Sequence, residues 1–180
     1  MKIFAFAGSN SSVSINKKLV SYVLKSFEKE TVSLVDLNDF EMPIFSSDRE
    51  KEGIPDAAHR FAAHIDDADL IICSLAEHNG AYSAAFKNIM DWVSRIPGRK
   101  LWNGKPMLVM ATSTGARGGS SVLEMATARI PFNGGVVINK FSLPSFNANF
   151  TEAGGITNAE YKLQLEEIIN EVKDQVTAPH

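Results

Sequence analysis

Three short segments of this 180-residue chain gather the residue types that hold a phosphate or a flat ring. They read Gly8-Ser-Asn-Ser-Ser-Val-Ser-Ile-Asn16, Ala76-Glu-His-Asn-Gly-Ala-Tyr82 and Ser113-Thr-Gly-Ala-Arg-Gly-Gly119. In the first, short hydroxyls and amides crowd ahead of an amphipathic stretch. If that stretch is a helix, its leading N–H groups and positive dipole end favour an anion, to whose oxygens the hydroxyls can donate. The same residues suit an ordinary turn with Ser14 as helix cap. Only Gly8 of a G-x-G-x-x-G pattern is present and no P-loop lysine follows, so a monophosphate matches better than a dinucleotide. In the second segment, Asn79-Gly80 can lay backbone amides along a planar heterocycle, or simply turn the chain into a helix at Ser83. In the third, Gly115, Gly118 and Gly119 permit close backbone approach to a ligand, or only a tight turn.

Other chemistries find less support. There is no G-x-S-x-G nucleophile elbow, no H-E-x-x-H and no cysteine cluster, so neither a hydrolase triad nor a metal site is expected. Of the four histidines, His78 alone falls in one of the three segments. Cys73 lies in an apolar run and reads as a small buried hydrophobe. Eighteen basic against twenty-one acidic residues leave a net charge of −3, without the basic surplus of a nucleic-acid binder. Apolar runs such as Leu70 to Cys73 fall far short of the roughly 20 residues that span a bilayer. A lone cysteine cannot close an intramolecular disulfide, which fits a reducing cytoplasm.

The elements that must position these segments follow from periodicity. Continuous apolar runs predict strands at Lys2–Ala7, Thr31–Leu37, Asp69–Leu75, Pro106–Thr112 and Gly135–Phe141. Apolar residues at a 3.6 period predict helices over Ser14–Glu28, from Pro55 through Ile65, Ser83–Ile96 and Ser120–Ile130. A last helix follows Thr157-Asn-Ala-Glu160, which reads as a capping box. Asn38–Ile54 reads as a long polar loop. Strands and helices alternating at this spacing build βαβ units, hence one three-layer α/β domain over residues 1–180 with a parallel sheet covered on both faces. In such a sheet a ligand sits beyond the carboxyl ends of the strands, where the strand order reverses. For the order 2-1-3-4-5, the connections after strands one, three and four meet there, and these are the three segments above.

At these same loops the sequence resembles the NADPH-dependent FMN reductase family, a flavodoxin-like group that includes quinone, chromate and azo-dye reductases. The family's phosphate loop reads G-S-x-R-x-x-S-x-N; Gly8, Ser9, Ser14 and Asn16 match, and Ser11 stands where Arg is usual. The family's P-E-Y-N-G and following L-K-N-x-x-D-W are similar to Ala76-Glu-His-Asn-Gly80 and Phe86-Lys-Asn-Ile-Met-Asp-Trp92, with His78 replacing Tyr. The third loop resembles S-x-G-x-x-G-G.

This resemblance implies a flavodoxin-like fold and an FMN phosphate held by Ser9, Ser14 and Asn16, with Ile15 between the last two and Ser11 in the place of Arg. It also implies a flavin ring resting against Glu77, His78, Asn79 and Gly80, closed by Ser113, Thr114, Gly115 and Gly118. Lys87, Asn88, Asp91 and Trp92 match a helix of structural role. The implied activity is an FMN-dependent NAD(P)H oxidoreductase, passing hydride from NADPH or NADH to FMN and then to a quinone, free flavin, azo or metal-oxyanion acceptor. The implied assembly is a homodimer or homotetramer. A flavodoxin-like electron carrier and a flavin-free binding module on the same fold are the alternatives.

Overall fold

The computed structural model of the chain describes residues 1–177. Five strands form its central sheet: β1 (Lys2–Gly8), β2 (Thr31–Val35), β3 (Leu70–Leu75), β4 (Pro106–Thr112) and β5 (Val136–Leu143). They lie in the order β2-β1-β3-β4-β5, and every pairing is parallel. The main helices are α1 (Ile15–Leu24), α2 (Asp56–Asp67), α3 (Ala84–Val93), α4 (Ser120–Arg129) and α5 (Ala159–Thr177). The alternation expected from periodicity is therefore realised, with the order reversing beside β1.

Side-chain alternation along the strands divides the core in two, as the two-residue period of a strand requires. Ile3, Ala5, Leu70, Ile72, Leu108 and Met110 face α1 and α5, whose Leu19, Val23, Leu165, Ile169 and Val172 complete that layer. Phe4, Phe6, Ile71, Cys73, Met107 and Val109 face α2, α3 and α4, packing on Phe61, Ile65, Phe86, Ile89, Val122 and Ala126. The middle strands are buried on both faces because helices cover both.

Element ends depart from the sequence reading for local reasons. Strand β2 stops at Val35 rather than Leu37, because Asp36 turns out of the sheet and accepts the Asn38 N–H, capping a 3₁₀ turn at Leu37–Phe40. The expected loop over 38–54 also contains a one-turn helix, Ser47–Glu50, capped by the Ser46 hydroxyl. Helix α1 gives way after Leu24 to a 3₁₀ turn, Lys25–Phe27. Helix α3 ends at Val93, short of Ile96. The capping box at Thr157 does not form. Asn158 Oδ1 accepts from the N–H groups of Glu160 and Tyr161, while the Thr157 hydroxyl donates to the Ala148 carbonyl.

Phe6 sits at the centre of the aromatic half of the core. It is fully buried, with ring centroids 5.2 to 5.6 Å from Phe4, Phe61 and Phe86 and a parallel stack on Trp102 at 6.4 Å. Phe6→Ala removes a ring that neighbours from the sheet and from the opposing helical layer enclose. It is expected to cost about 3–5 kcal/mol in urea unfolding.

Candidate functional site

The connections leaving β1, β3 and β4 converge at the carboxyl end of the sheet, as the topology demands. The first runs from Ser9 into α1. Each of its three key hydroxyls accepts a backbone N–H: Ser9 Oγ from Ser11, Ser11 Oγ from Val13, and Ser14 Oγ from Lys17 as helix cap. A hydroxyl that accepts still holds its own proton, so three O–H donors remain for a ligand. Ile15 and Asn16 open the helix, where N–H groups have no intrahelical acceptor. The loop is thus a cradle of neutral donors.

The nearby cations are engaged elsewhere. Lys17 Nζ lies 2.5 Å from Asp36 Oδ2, and Lys18 pairs with Glu152. Asp36 Oδ1 also accepts from the Asn38 N–H and side-chain amide, and that amide donates in turn to the Asn10 carbonyl. Asp36, which sequence reasoning passed over, ties the first loop to the connection after β2.

Asn16 is 3% exposed, and its side-chain amide is committed within the protein. Nδ2 donates to the Thr112 carbonyl (3.3 Å), while Oδ1 accepts from the Thr112 N–H (3.1 Å) and the Ser74 hydroxyl (2.7 Å). Thr112 Oγ1 continues the chain to the Leu143 carbonyl (2.6 Å). Thus the first loop is fastened to the ends of β3, β4 and, through Thr112, β5. Ser74 and Thr112 were also missed in the sequence, although Ser74 interrupts an apolar run and Thr112 ends one.

The second connection is a small hairpin, Glu77–His78 paired with Ala81–Tyr82. Asn79 and Gly80 make its turn with φ of 52° and 78°, the left-handed pair that hairpin twist requires. His78, Asn79 and Gly80 are exposed. Ser83 caps α3 and donates its hydroxyl to the Gly8 carbonyl at 2.8 Å, joining the second connection to the first.

The third connection, Ser113–Gly119, is held at its base. Ser113 Oγ donates to the Gly115 carbonyl, and the Ser145 and Phe146 amides donate to the Gly115 and Ser113 carbonyls. Thr114 and Gly115 are exposed. Gly118 has φ +60°, and a Cβ there would lie 2.4 Å from Ser142 Oγ and 2.8 Å from Pro144 N. The close approach that needs this glycine is to the chain's own β5 exit. Glu77 crosses from the hairpin to this connection: its Oε2 accepts the Val122 N–H at 3.0 Å, and Oε1 lies 3.8 Å from Arg117.

All three predicted loops therefore meet, and each is tied to the other two. Two groups in the region have simpler roles. Burial pushes the Cys73 thiol up to about 12, so it stays protonated and inert. On α3, Asn88 bonds the Phe45 N–H and the Met42 and Pro43 carbonyls, and Trp92 Nε1 bonds Pro43, so both serve the fold. A groove of about 580 Å³ runs between residues 37–44 and the start of α3, bordered by Asn10 of the first loop. A larger cavity, about 740 Å³, lies at the opposite end of the sheet around Met1, Pro106 and Val136. Size alone would select the latter, but the converging donors are all at the carboxyl end.

Comparison with known proteins points the same way. The family model described as NADPH-dependent FMN reductase matches residues 1–148. A 2-hydroxy-1,4-benzoquinone reductase of Burkholderia sp is 33% identical over 118 residues, 66% of this chain and 63% of that protein. A quinone reductase of Escherichia coli K12 is 30% identical over 141 residues, 78% of this chain and 68% of its own. With the Pseudomonas putida quinone reductase, the match spans 60% of the relative's length. This chain therefore covers about three-fifths of the first of these relatives. Among solved structures, the FerB flavoenzyme NAD(P)H:(acceptor) oxidoreductase of Paracoccus denitrificans has the same fold. Its TM-score is 0.79 at 23% identity, covering 97% of this chain and 96% of that one.

Two outcomes follow for the frame of the site. Asn16→Ala strips partners from both backbone groups of Thr112 and from Ser74, and should cost roughly 2–4 kcal/mol by urea unfolding. Lys17, then the Asn38 N–H, hold the Asp36 carboxyl below the usual carboxylate range. A carboxyl depressed on folding contributes stability present above its unfolded value and lost as pH falls through the folded one. Asp36→Asn should therefore lower Tm at pH 7, with the difference from the unsubstituted protein closing as the pH drops below about 4.

Proposed function

This chain belongs to the NADPH-dependent FMN reductase family, and we propose that it binds FMN at the three converging loops and acts as an NAD(P)H-dependent reductase of small acceptors. The observation that carries the reading is the donor set of the first loop. Hydroxyl protons of Ser9, Ser11 and Ser14 and the leading N–H groups of Ile15 and Asn16 offer a phosphate neutral donors on one side of a helix N-terminus. These residues fit a monophosphate without the arginine usual in the family. The family's usual contact is supplied here by Ser11 and the helix end. Asn16 serves through its backbone, its side chain being spent on Thr112.

The hairpin Glu77–Tyr82 and the connection Ser113–Gly119 stand as the two walls for the flavin ring. His78, Asn79 and Gly80 form one edge, and Ser113, Thr114 and Gly115 form the other. Gly118 keeps the second wall close to the β5 exit. FMN held there would supply the redox chemistry, hydride acceptance from a nicotinamide and electron donation to a second small molecule. The chain's part is to bind, to orient and to hold the loops at fixed spacing. No side chain is assigned to acid–base work.

The acceptor class is drawn from the relatives, two of which are named as quinone reductases and one as a benzoquinone reductase. Quinones are accordingly the first acceptors to assay, followed by free flavin, azo compounds and metal oxyanions. NADPH is the first reductant to test, with NADH beside it. The same proposal extends to a homodimer or homotetramer working in a reducing cytoplasm, where the buried free Cys73 is at home. No described helix is long and apolar enough to cross a membrane.

FMN added to the purified chain and followed through desalting should leave a flavin visible band on the protein, bleached by NADPH and restored by a quinone. Ser14→Ala, which removes one donor and the α1 cap, should weaken FMN binding by about tenfold in a fluorescence-quenching titration. A protein that remains colourless after loading would sink the reductase reading and leave a flavin-free module on this fold.

A further inference from the structure

Helix α4, which opens the third loop's wall, cannot cap itself. Its N-cap is Gly119 at φ +76°, no acidic residue stands in its first turn, and a Cβ on Gly119 would lie 3.0 Å from the Cβ of Ala111. A side-chain cap at that position is therefore strained by conformation and crowded by Ala111. The group that takes the place of the missing cap comes from a different loop. Glu77 Oε2 accepts the N–H of Val122, the third residue of α4, at 3.0 Å, where a capping oxygen normally bonds. The Glu77 side chain is only 15% exposed, and its carboxylate sits at the positive end of the helix dipole. Its second oxygen lies 3.8 Å from the exposed guanidinium of Arg117.

Glu77 is also the first residue of the hairpin, directly opposite Tyr82, whose ring packs edge-on against Phe86 of α3. One side chain thus links the hairpin wall to the glycine-loop wall. We propose that Glu77 is a positioning residue, which caps α4 across the site and thereby sets the separation of the two walls between which the flavin ring lies. The proposal rests on the flavin reading above. It assigns the carboxylate to the frame rather than to contact with the ring.

The test titrates FMN into the unsubstituted protein and into Glu77→Ala and Glu77→Gln. Flavin fluorescence, the visible spectrum of the bound flavin and amide exchange at Val122 are followed together. Glu77→Ala should expose the Val122 amide to exchange, weaken FMN by about tenfold or more and change the bound-flavin spectrum. Glu77→Gln keeps an accepting oxygen, so it should restore protection at Val122 and bring affinity back to within about threefold. Should Glu77→Ala fail to fold, Glu77→Asp, which keeps the charge and withdraws the oxygens by one methylene, is expected to give the alanine pattern in milder form.

Faster exchange at Val122 with unchanged affinity and spectrum would make Glu77 a helix cap alone and overturn the proposal. So would a glutamine variant that regains Val122 protection yet binds FMN as weakly as the alanine variant. Failure of the unsubstituted protein to bind FMN is a separate result, visible before any substitution. It would overturn the flavin reading and this proposal with it.

Discussion

A parallel sheet can open a crevice only where two strands cease to satisfy each other, and every N–H and C=O that loses its ladder partner there needs another. In this protein the β3–β4 ladder ends at the pair Leu75–Ala111, one residue before Thr112. The Asn16 amide takes both backbone groups of Thr112, substituting for the strand that is no longer there. Its oxygen reaches Ser74 on β3 as well. Helix α1 is thereby registered against the sheet, and with it the loop that precedes it. The placing of the first loop against the ends of β3, β4 and β5 depends on this one buried amide, since Thr112 in turn holds β5 through Leu143.

Around that fixed point the three connections are laced pairwise. Asn16 joins the first to the root of the third, Ser83 joins the second to the first through Gly8, and Glu77 joins the second to the third. Two of these contacts join uncharged groups and do not depend on salt; the third uses the Glu77 carboxylate, which also lies 3.8 Å from Arg117. The charged pairs lie around it: Lys17 with Asp36, and Lys18 with Glu152. The first loop therefore meets an anion with neutral donors and a helix end, its nearest ammonium groups already held by carboxylates.

The strand order and the three loops could be read from the sequence because they follow from patterns that act locally. Apolar runs such as Leu70–Leu75 need no partner to be recognised, and the β-α alternation leaves few topologies. The identity of the site loops was legible for the same reason, since topology alone says which connections meet. What could not be read was the partner of each polar side chain. Asn16 and Ser14 sit two residues apart and look alike as phosphate ligands, yet one is turned inward to the sheet and the other caps its own helix. Thr157 and Asn158 are both competent caps. The nearby Ala148 carbonyl takes the threonine hydroxyl, which leaves the role to asparagine. Such choices are decided by tertiary neighbours brought from up to 96 residues away in the chain, as with Asn16 and Thr112.

The exposed hairpin tip stands apart from this lacing. No side-chain hydrogen bond among the described residues involves His78, and its neighbours Asn79 and Gly80 are fixed by the turn they make rather than by packing. A substitution at position 78 changes the chemistry of the lip without loosening any contact that holds the loops together, so its effect on stability should be small. Substitutions at this edge can therefore change the chemistry of the lip while the frame beneath keeps its contacts. Foldability and the chemistry of the lip fall to different residues here, only one position apart: Glu77 belongs to the frame and His78 to the exposed edge outside it.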